Sequence, residues 1–402
     1  MPTFTYVART RDGKRETGKL TAENRQVLIR TLQGKGMVPE RVDAVGAEKR
    51  AGRDPKVKTS ELLVFTRQLS TIVNAGLPLL QGLDILSEQS EDPRYAAVIQ
   101  GIANDVEAGE TFSDALRKHP RIYSDLFVSM IRAGEASGNL DGVLMQLAEY
   151  LESMEELKRR IRSAMTYPVV ALSMILLIAA GLIIFVVPQF AEIFSGFGRQ
   201  LPAPTRVLIA ASTFLKQWYG MPLIIAAIIG LVLATRMYGA TAAGKYHLDA
   251  LKLQIPIFGK LLRKVAISRF ARTLSTLTRS GVNILGAMEI VERTAGNEVF
   301  ARAISTAADC VRNGETLADP LARSGQFPAM VTRMIGVGEK TGALEQMLQK
   351  VSDFYDSEVR AAVDALTSMI EPILILLMGI VVGGIVVALF MPILQLSGLV
   401  QQ

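Results

Sequence analysis

The chain has 402 residues, is half hydrophobic and one fifth charged, and carries a net charge of +6, a length that allows two or three folded units. One cysteine (Cys310) and two histidines 128 residues apart (His119, His247) exclude an internal disulfide framework, a CxxC zinc or redox site and an HExxH helix. No P-loop occurs, since GEKTG at 338–342 puts Glu339 where that motif needs glycine, so no catalytic residue, cofactor or metal is expected.

Residues 1–50 hold 11 Lys/Arg against 6 Asp/Glu. They read as a small α+β module: a hairpin around Asp12-Gly13, a pair that suits a type I′ turn, then a helix from Glu23 to Leu32 and a strand from Val38 to Asp43. Arg9, Arg11, Lys14 and Arg15 make it a basic face for an acidic partner or anionic headgroups, although a solvated face that keeps the module soluble accounts for the same charges. The first residues carry charges where a signal peptide needs an apolar stretch, so the N-terminus is expected to stay in the cytoplasm. Residues 51–58 read as a polar linker.

Residues 59–167 read as a helical domain. Leu62, Phe65, Leu69 and Ile72 share one face at the helical period, with Thr59 as N-cap and Gly76 as stop. Further helices are predicted over 79–90, 93–108, 111–118 and 124–137, and a long one from about 140 runs on into an apolar stretch.

Mean hydropathy is +0.29, and the excess sits in three charge-free stretches read as transmembrane segments, 168–187, 218–235 and 372–391. Lys158, Arg159, Arg160 and Arg162 precede the first, and eight Lys/Arg lie between the second and residue 272. By the positive-inside rule 188–217 is a periplasmic loop, 236–371 a second cytoplasmic domain and 392–402 a periplasmic tail. No span holds an ionisable residue between its ends, which argues against an ion or proton transporter.

The sequence repeats at an offset of 204 or 205. FTRQLSTIVNAG (65–76) matches FARTLSTLTRSG (270–281) at 6 of 12 positions, and MIRAGEASGNL (130–140) matches MIGVGEKTGAL (334–344) at 6 of 11. Pro168 aligns with Pro372, and Pro188 with Pro392. The predicted fold is therefore mainly α and membrane-bound: two duplicated cytoplasmic helical bundles of about six helices each, three transmembrane helices and the small N-terminal module.

The F-x-R-x-L…G unit, the GEASGNL/GEKTGAL pair and the Tyr167-Pro168 and Glu371-Pro372 junctions resemble the inner-membrane platform family of bacterial type II secretion and type IV pilus machines. The resemblance covers the whole chain. It implies a non-enzymatic inner-membrane protein, with a hexameric cytoplasmic ATPase below it, pilin-like subunits and other inner-membrane assembly proteins around it, a homo-oligomeric state and no nucleic acid; the C-terminal run leans to the pilus branch. One departure is visible, in that Gly76-Leu77-Pro78 becomes Gly281-Val282-Asn283.

Within the repeated motifs, Gly138 and Gly342 fit the left-handed position that ends a helix. Glu135 and Glu339, beside Gly134 and Gly338, stand where the helix dipole disfavours an acid, and the repeated Arg67 and Arg272 are their candidate partners. An internal pair and a motor-facing surface both remain open. Gly379 and Gly383 form a GxxxG-type face for a pilin helix, another protomer or this chain's own spans, and Glu371 and Pro372 mark a membrane boundary. A permease subunit driven by a separate ATPase is the alternative, disfavoured by the charge-free spans. A membrane receptor would need more external chain than 188–217.

Overall fold

The computed structural model describes residues 3–9, 15–21, 31, 37–44, 54–195, 202–256 and 258–397. Two compact units divide it at Lys56/Val57.

In the first unit, β1 (Thr3–Arg9), β2 (Arg15–Thr21) and β3 (Val38–Ala44) form an antiparallel sheet in the order β2-β1-β3. Arg9 lies opposite Arg15. The two strands are antiparallel neighbours, as the expected hairpin requires. Of the expected helix at 23–32 only Thr31 is described, as helical; the Asp12-Gly13 pair, Arg11 and Lys14 lie outside the described residues.

The second unit contains two helical bundles with one helix order. The first comprises α1 (Thr59–Asn74), α2 (Leu79–Gln89), α3 (Pro93–Glu107), α4 (Phe112–Arg117), α5 (Asp125–Ser137) and the long α6 (Leu140–Gly181). α6 continues through a π-helical turn (Leu182–Val186) into α7 (Val187–Ser195). Next come α8 (Ala203–Lys216), α9 (Gly220–Gly239) and α10 (Ala242–Gln254). The second bundle repeats the first as α11 (Phe258–Arg279), α12 (Ile284–Thr294), α13 (Glu298–Arg312), α14 (Ala318–Arg323), α15 (Ala329–Thr341) and α16 (Leu344–Ser397).

Helix ends follow local chemistry. Thr111 and Ser124 accept from the backbone N–H of Asp114 and Phe127, each satisfying a donor that the helix itself cannot. Thr59 does not cap α1. It is the first helical residue, behind Lys58, which offers no side-chain bond. Gly76 and Gly281 have φ of 83° and 81°, and Gly138 and Gly342 have 70° and 71°, so the same turns close the same helices in both copies. The bundles share one continuous core, with Phe65, Leu69, Ile102 and Ile131 on one side and Phe270, Leu274, Ile304 and Ile335 on the other.

Among the described residues, three helical stretches are long and apolar enough to cross a membrane: Leu140–Phe190, Gly220–Gly239 and Leu344–Pro392. Pro168 and Pro372 lie inside helices, in line with the expectation that a helix from about 140 runs on into the span. α6 and α16 run straight through them, carrying each bundle's last helix into its span. The π-helical turn lies just before Pro188, whose missing N–H breaks the i→i−4 pattern there.

The stretch expected as a loop, 188–217, contains α7 and α8. α8 packs on the spans because its apolar side has partners there: Leu208 and Ile209 meet Ala179, Val187, Ile385 and Leu389. The buried Thr205 hydroxyl donates to the Ala388 carbonyl at 2.5 Å. α16 continues through Pro392 to Ser397, into the expected tail.

Candidate functional site

The repeated GE…G motif is built around the first turn of a neighbouring short helix. Glu135, in the last turns of α5, accepts from the backbone N–H of Phe112 (2.5 Å) and of Ser113 (3.1 Å) at the start of α4. Glu339 on α15 accepts in the same way from Leu317 (2.5 Å) and Ala318 (3.0 Å) at the start of α14. A carboxylate there satisfies two orphan donors and meets the positive end of the helix dipole. The expected pairing of these acids with Arg67 and Arg272 is therefore corrected, because the partner is a helix N-terminus and not a side chain.

The glycines serve the same construction. A Cβ at Gly134 would meet the Val143 side chain at 3.1 Å, and one at Gly338 would meet the Leu344 Cα at 2.8 Å. Each lets the fifth helix lie close against the start of the sixth. Gly138 and Gly342 then end that helix in the left-handed region, with open space around them.

The arginines tie the first helix of each bundle to the last. Arg67 on α1 meets Glu152 on α6 at 3.1 Å, with both side chains more than half exposed. At the equivalent place Arg272 on α11 bonds to Asp356 on α16, and there the side chains are only 15% and 20% exposed. Arg272 also donates to Ser153 Oγ on α6 at 2.8 Å, so it joins the second bundle to the long helix of the first. Ser268 donates to the same Asp356. Burial pulls the Arg272 guanidinium below its ordinary pKa, opposed mainly by the charge of Asp353. Glu156 and Arg360 (3.4 Å) continue the junction, and below them Leu157, Ile161 and Met165 of α6 pack with Val359, Val363 and Leu366 of α16.

The departure at residue 283 keeps its turn. Pro78 occupies the N-cap position of α2 without a side-chain bond, whereas Asn283 caps α12 by accepting from Gly286 N–H at 2.7 Å. On α16, a Cβ at Gly379 or Gly383 would meet nothing within 4 Å, so none of the described residues covers that face. Glu371 and Pro372 are exposed. Arg9 and Arg15 end β1 and begin β2.

Two features escaped the sequence reading. Asp249 on α10 is buried and accepts from the Glu298 N–H that starts α13. Tyr95 and Tyr123 form a buried hydroxyl pair, at positions where the second bundle has Phe300 and Phe327. Nothing in their local sequence marks either one. Among the described residues no group of three or more His, Cys, Asp or Glu could hold a metal ion. The last helix of each bundle is continuous with an apolar stretch.

Known proteins show the same arrangement of sequence. The family described as type II secretion system (T2SS), protein F, matches twice, over residues 65–188 and 270–392, and the protein F N-terminal domain matches 1–43. The type IV pilus assembly protein PilC of Thermus thermophilus is 42% identical over 99% of both chains. PilC of Myxococcus xanthus is 38% identical over 99% of this chain and 96% of its own. The type II secretion system protein F of Vibrio cholerae is 33% identical over the full length of both. With two matching domains in the two bundles and relatives spanning its whole length, the chain belongs to the type II secretion system protein F family, which includes the PilC proteins of type IV pilus assembly.

Proposed function

We propose that this protein is the inner-membrane platform of a type IV pilus machine, coupling a separate hexameric cytoplasmic ATPase to the addition or removal of pilin-like subunits. The observation that carries the reading is continuity: α6 (42 residues) and α16 (54 residues) each run from a bundle core into an apolar span. A displacement applied to the bundles reaches the spans without an intervening hinge loop. The relatives named PilC are 35–42% identical and the one named TapC 33%, against 32–33% for those named protein F, which favours the pilus.

On this reading the bundles and N-terminus lie in the cytoplasm, as the Lys/Arg excess before the first span and after the second supports. The chain turns over no substrate itself and works as a homo-oligomer among other inner-membrane assembly proteins. The uncovered face at Gly379 and Gly383 receives a helix from a pilin-like subunit or a second copy. The basic N-terminal module docks the motor by charge.

The test is a chromosomal deletion complemented with variants, scored for surface pili and for secreted enzymes. Loss of pili with intact secretion is expected, and the reverse outcome assigns the chain to the secretion machine. Reversing Arg9, Arg11, Lys14 and Arg15 should weaken motor binding, most visibly at low salt. Unchanged motor affinity defeats the docking role.

A further inference from the structure

The corner between α10 and α11 turns large apolar side chains outward near the level where a span begins. α11 and α16 run antiparallel: Lys264 pairs with Glu358 at 2.6 Å, and Ser275 Oγ meets Gln349 Oε1 at 3.3 Å. Nearer the span, Leu261 packs with Val359, Val363 and Leu366. Carried on at 1.5 Å per residue, this register leaves Phe258, the first residue of α11, about 10 Å short of the level of Pro372. The third charge-free stretch starts at that proline.

α10 reaches the same corner from the second apolar stretch. It starts two residues after α9 ends, and a Cβ at Gly239, the last residue of α9, would meet Leu248 of α10 at 3.2 Å. Asp249 fixes which side of α10 faces the bundle, since it is buried and accepts from Glu298 N–H. Leu251, two residues on and about 200° round the helix, faces away and is 59% exposed. Ile255, Phe258 and Leu262 are exposed as well. The charge carried by this segment has one sign, because no acidic residue occurs between Asp249 and Glu289. Asp249 holds Lys252 at 2.8 Å, whereas Lys260 and Arg263 are exposed and have no ion pair among the described residues.

We infer that this corner rests on the bilayer surface as an interfacial anchor of the second bundle. Leu251, Ile255, Phe258 and Leu262 enter the boundary between headgroups and acyl chains, and Lys260 and Arg263 lie on anionic headgroups. Apolar side chains flanked by unpaired cations are the chemistry that such an interface takes up. The level of the corner selects lipid over a soluble partner, because the bilayer that takes in α9 and α16 comes within reach of it. The inference rests on the apolar stretches lying in a bilayer and not on which machine the chain serves.

The test places a single tryptophan at the corner of the full chain, through Trp218→Phe and Phe258→Trp, in nanodiscs of phosphatidylglycerol and phosphatidylcholine. With brominated acyl chains its emission should fall by about half or more, since the ring sits at the acyl boundary. Quenching should weaken in phosphatidylcholine alone, with added salt, and in the double variant Lys260→Glu, Arg263→Glu. The lipid and salt series needs no charge variant, and circular dichroism checks that the double variant stays helical. Val337→Trp with Trp218→Phe marks an exposed site on α15 beside the start of α16, about 40 Å from the level of Pro372, and should stay unquenched. Quenching at the corner no greater than at that control overturns the inference, as does quenching indifferent to headgroup charge, salt and the double reversal. Blue-shifted but unquenched emission overturns it too, because protein and not lipid then covers the corner. Each of these outcomes leaves the platform reading standing.

Discussion

Glu339 stands to α14 as Glu135 stands to α4: each carboxylate spans two backbone N–H groups that open the short fourth helix of its bundle. The acid is in the last turns of one helix, where the dipole opposes it, and at the first turn of another, where the dipole favours it. The second term wins because two charge-assisted bonds are made there.

Glu135→Ala and Glu339→Ala should therefore each cost about 1–2 kcal/mol, the range for losing a capping acceptor with partly buried donors. Hydrogen exchange at Phe112 and Ser113, or at Leu317 and Ala318, should speed up before the rest of the bundle is affected. Unchanged protection at those amides in both variants removes the capping role.

Much of this architecture was legible in the residues. The 204–205 offset between Gly76 and Gly281, and between Gly138 and Gly342, exposed the duplication because left-handed turns restrict the residue choice more than core positions do. The partner of Glu135 was not legible, since a helix N-terminus is a charge that no side chain announces. α8 was missed for a related reason: 188–217 was read by its charges, while Leu208 and Ile209 find their partners on helices distant in sequence. Asp249 likewise acquires its role only when α10 reaches α13.

Arg67 and Arg272 occupy equivalent places with different surroundings. Arg67→Ala removes an exposed pair and should cost at most about 1 kcal/mol. Arg272→Ala leaves Asp356 largely buried and breaks the link to Ser153, so about 3 kcal/mol is expected. Denaturant titration of the two variants side by side decides it, and equal losses would show that the junction between the long helices contributes nothing special.

The glycines separate two mechanisms in one experiment. Gly138→Ala and Gly342→Ala meet open space, so only the left-handed backbone is penalised, by about 1 kcal/mol in each copy. Gly338→Ala drives a methyl to 2.8 Å from the Leu344 Cα, whereas at Gly134 the nearest contacts are the Val143 side chain at 3.1 Å and the Leu140 Cα at 3.3 Å. Gly338→Ala should therefore be the most damaging of the four by thermal unfolding, costing about 2–3 kcal/mol by overpacking. Equal effects at 134 and 338 would contradict the difference in packing.

Tyr95 and Tyr123 give the first bundle a buried pair of phenols, whereas in the second, among the described residues, burial raises the pKa of Tyr355 alone. Their hydroxyls lie 3.5 Å apart, beside Phe65 and Phe127. Burial pushes both phenols well above their ordinary pKa; for Tyr95 the bond to Tyr123 opposes the shift without cancelling it. In the unfolded chain both ionise near pH 10. A folded-state pKa raised above the unfolded one means that stability is fully present below about pH 10 and falls as pH rises toward the folded value. The loss approaches about 1.4 kcal/mol per pH unit for each phenol. Phe300 and Phe327 stand at the equivalent positions in the second bundle and cannot titrate. Hydrogen exchange above pH 10 should thus show α3 and α5 opening before α13 and α15, in step with the rise of tyrosinate absorbance. The double variant Tyr95→Phe, Tyr123→Phe copies the second bundle's residues and should move the transition to higher pH while leaving stability at pH 7 within about 1 kcal/mol, since only a weak neutral hydrogen bond is lost. Simultaneous opening of both bundles, or an unshifted transition in the double variant, would place the alkaline lability elsewhere.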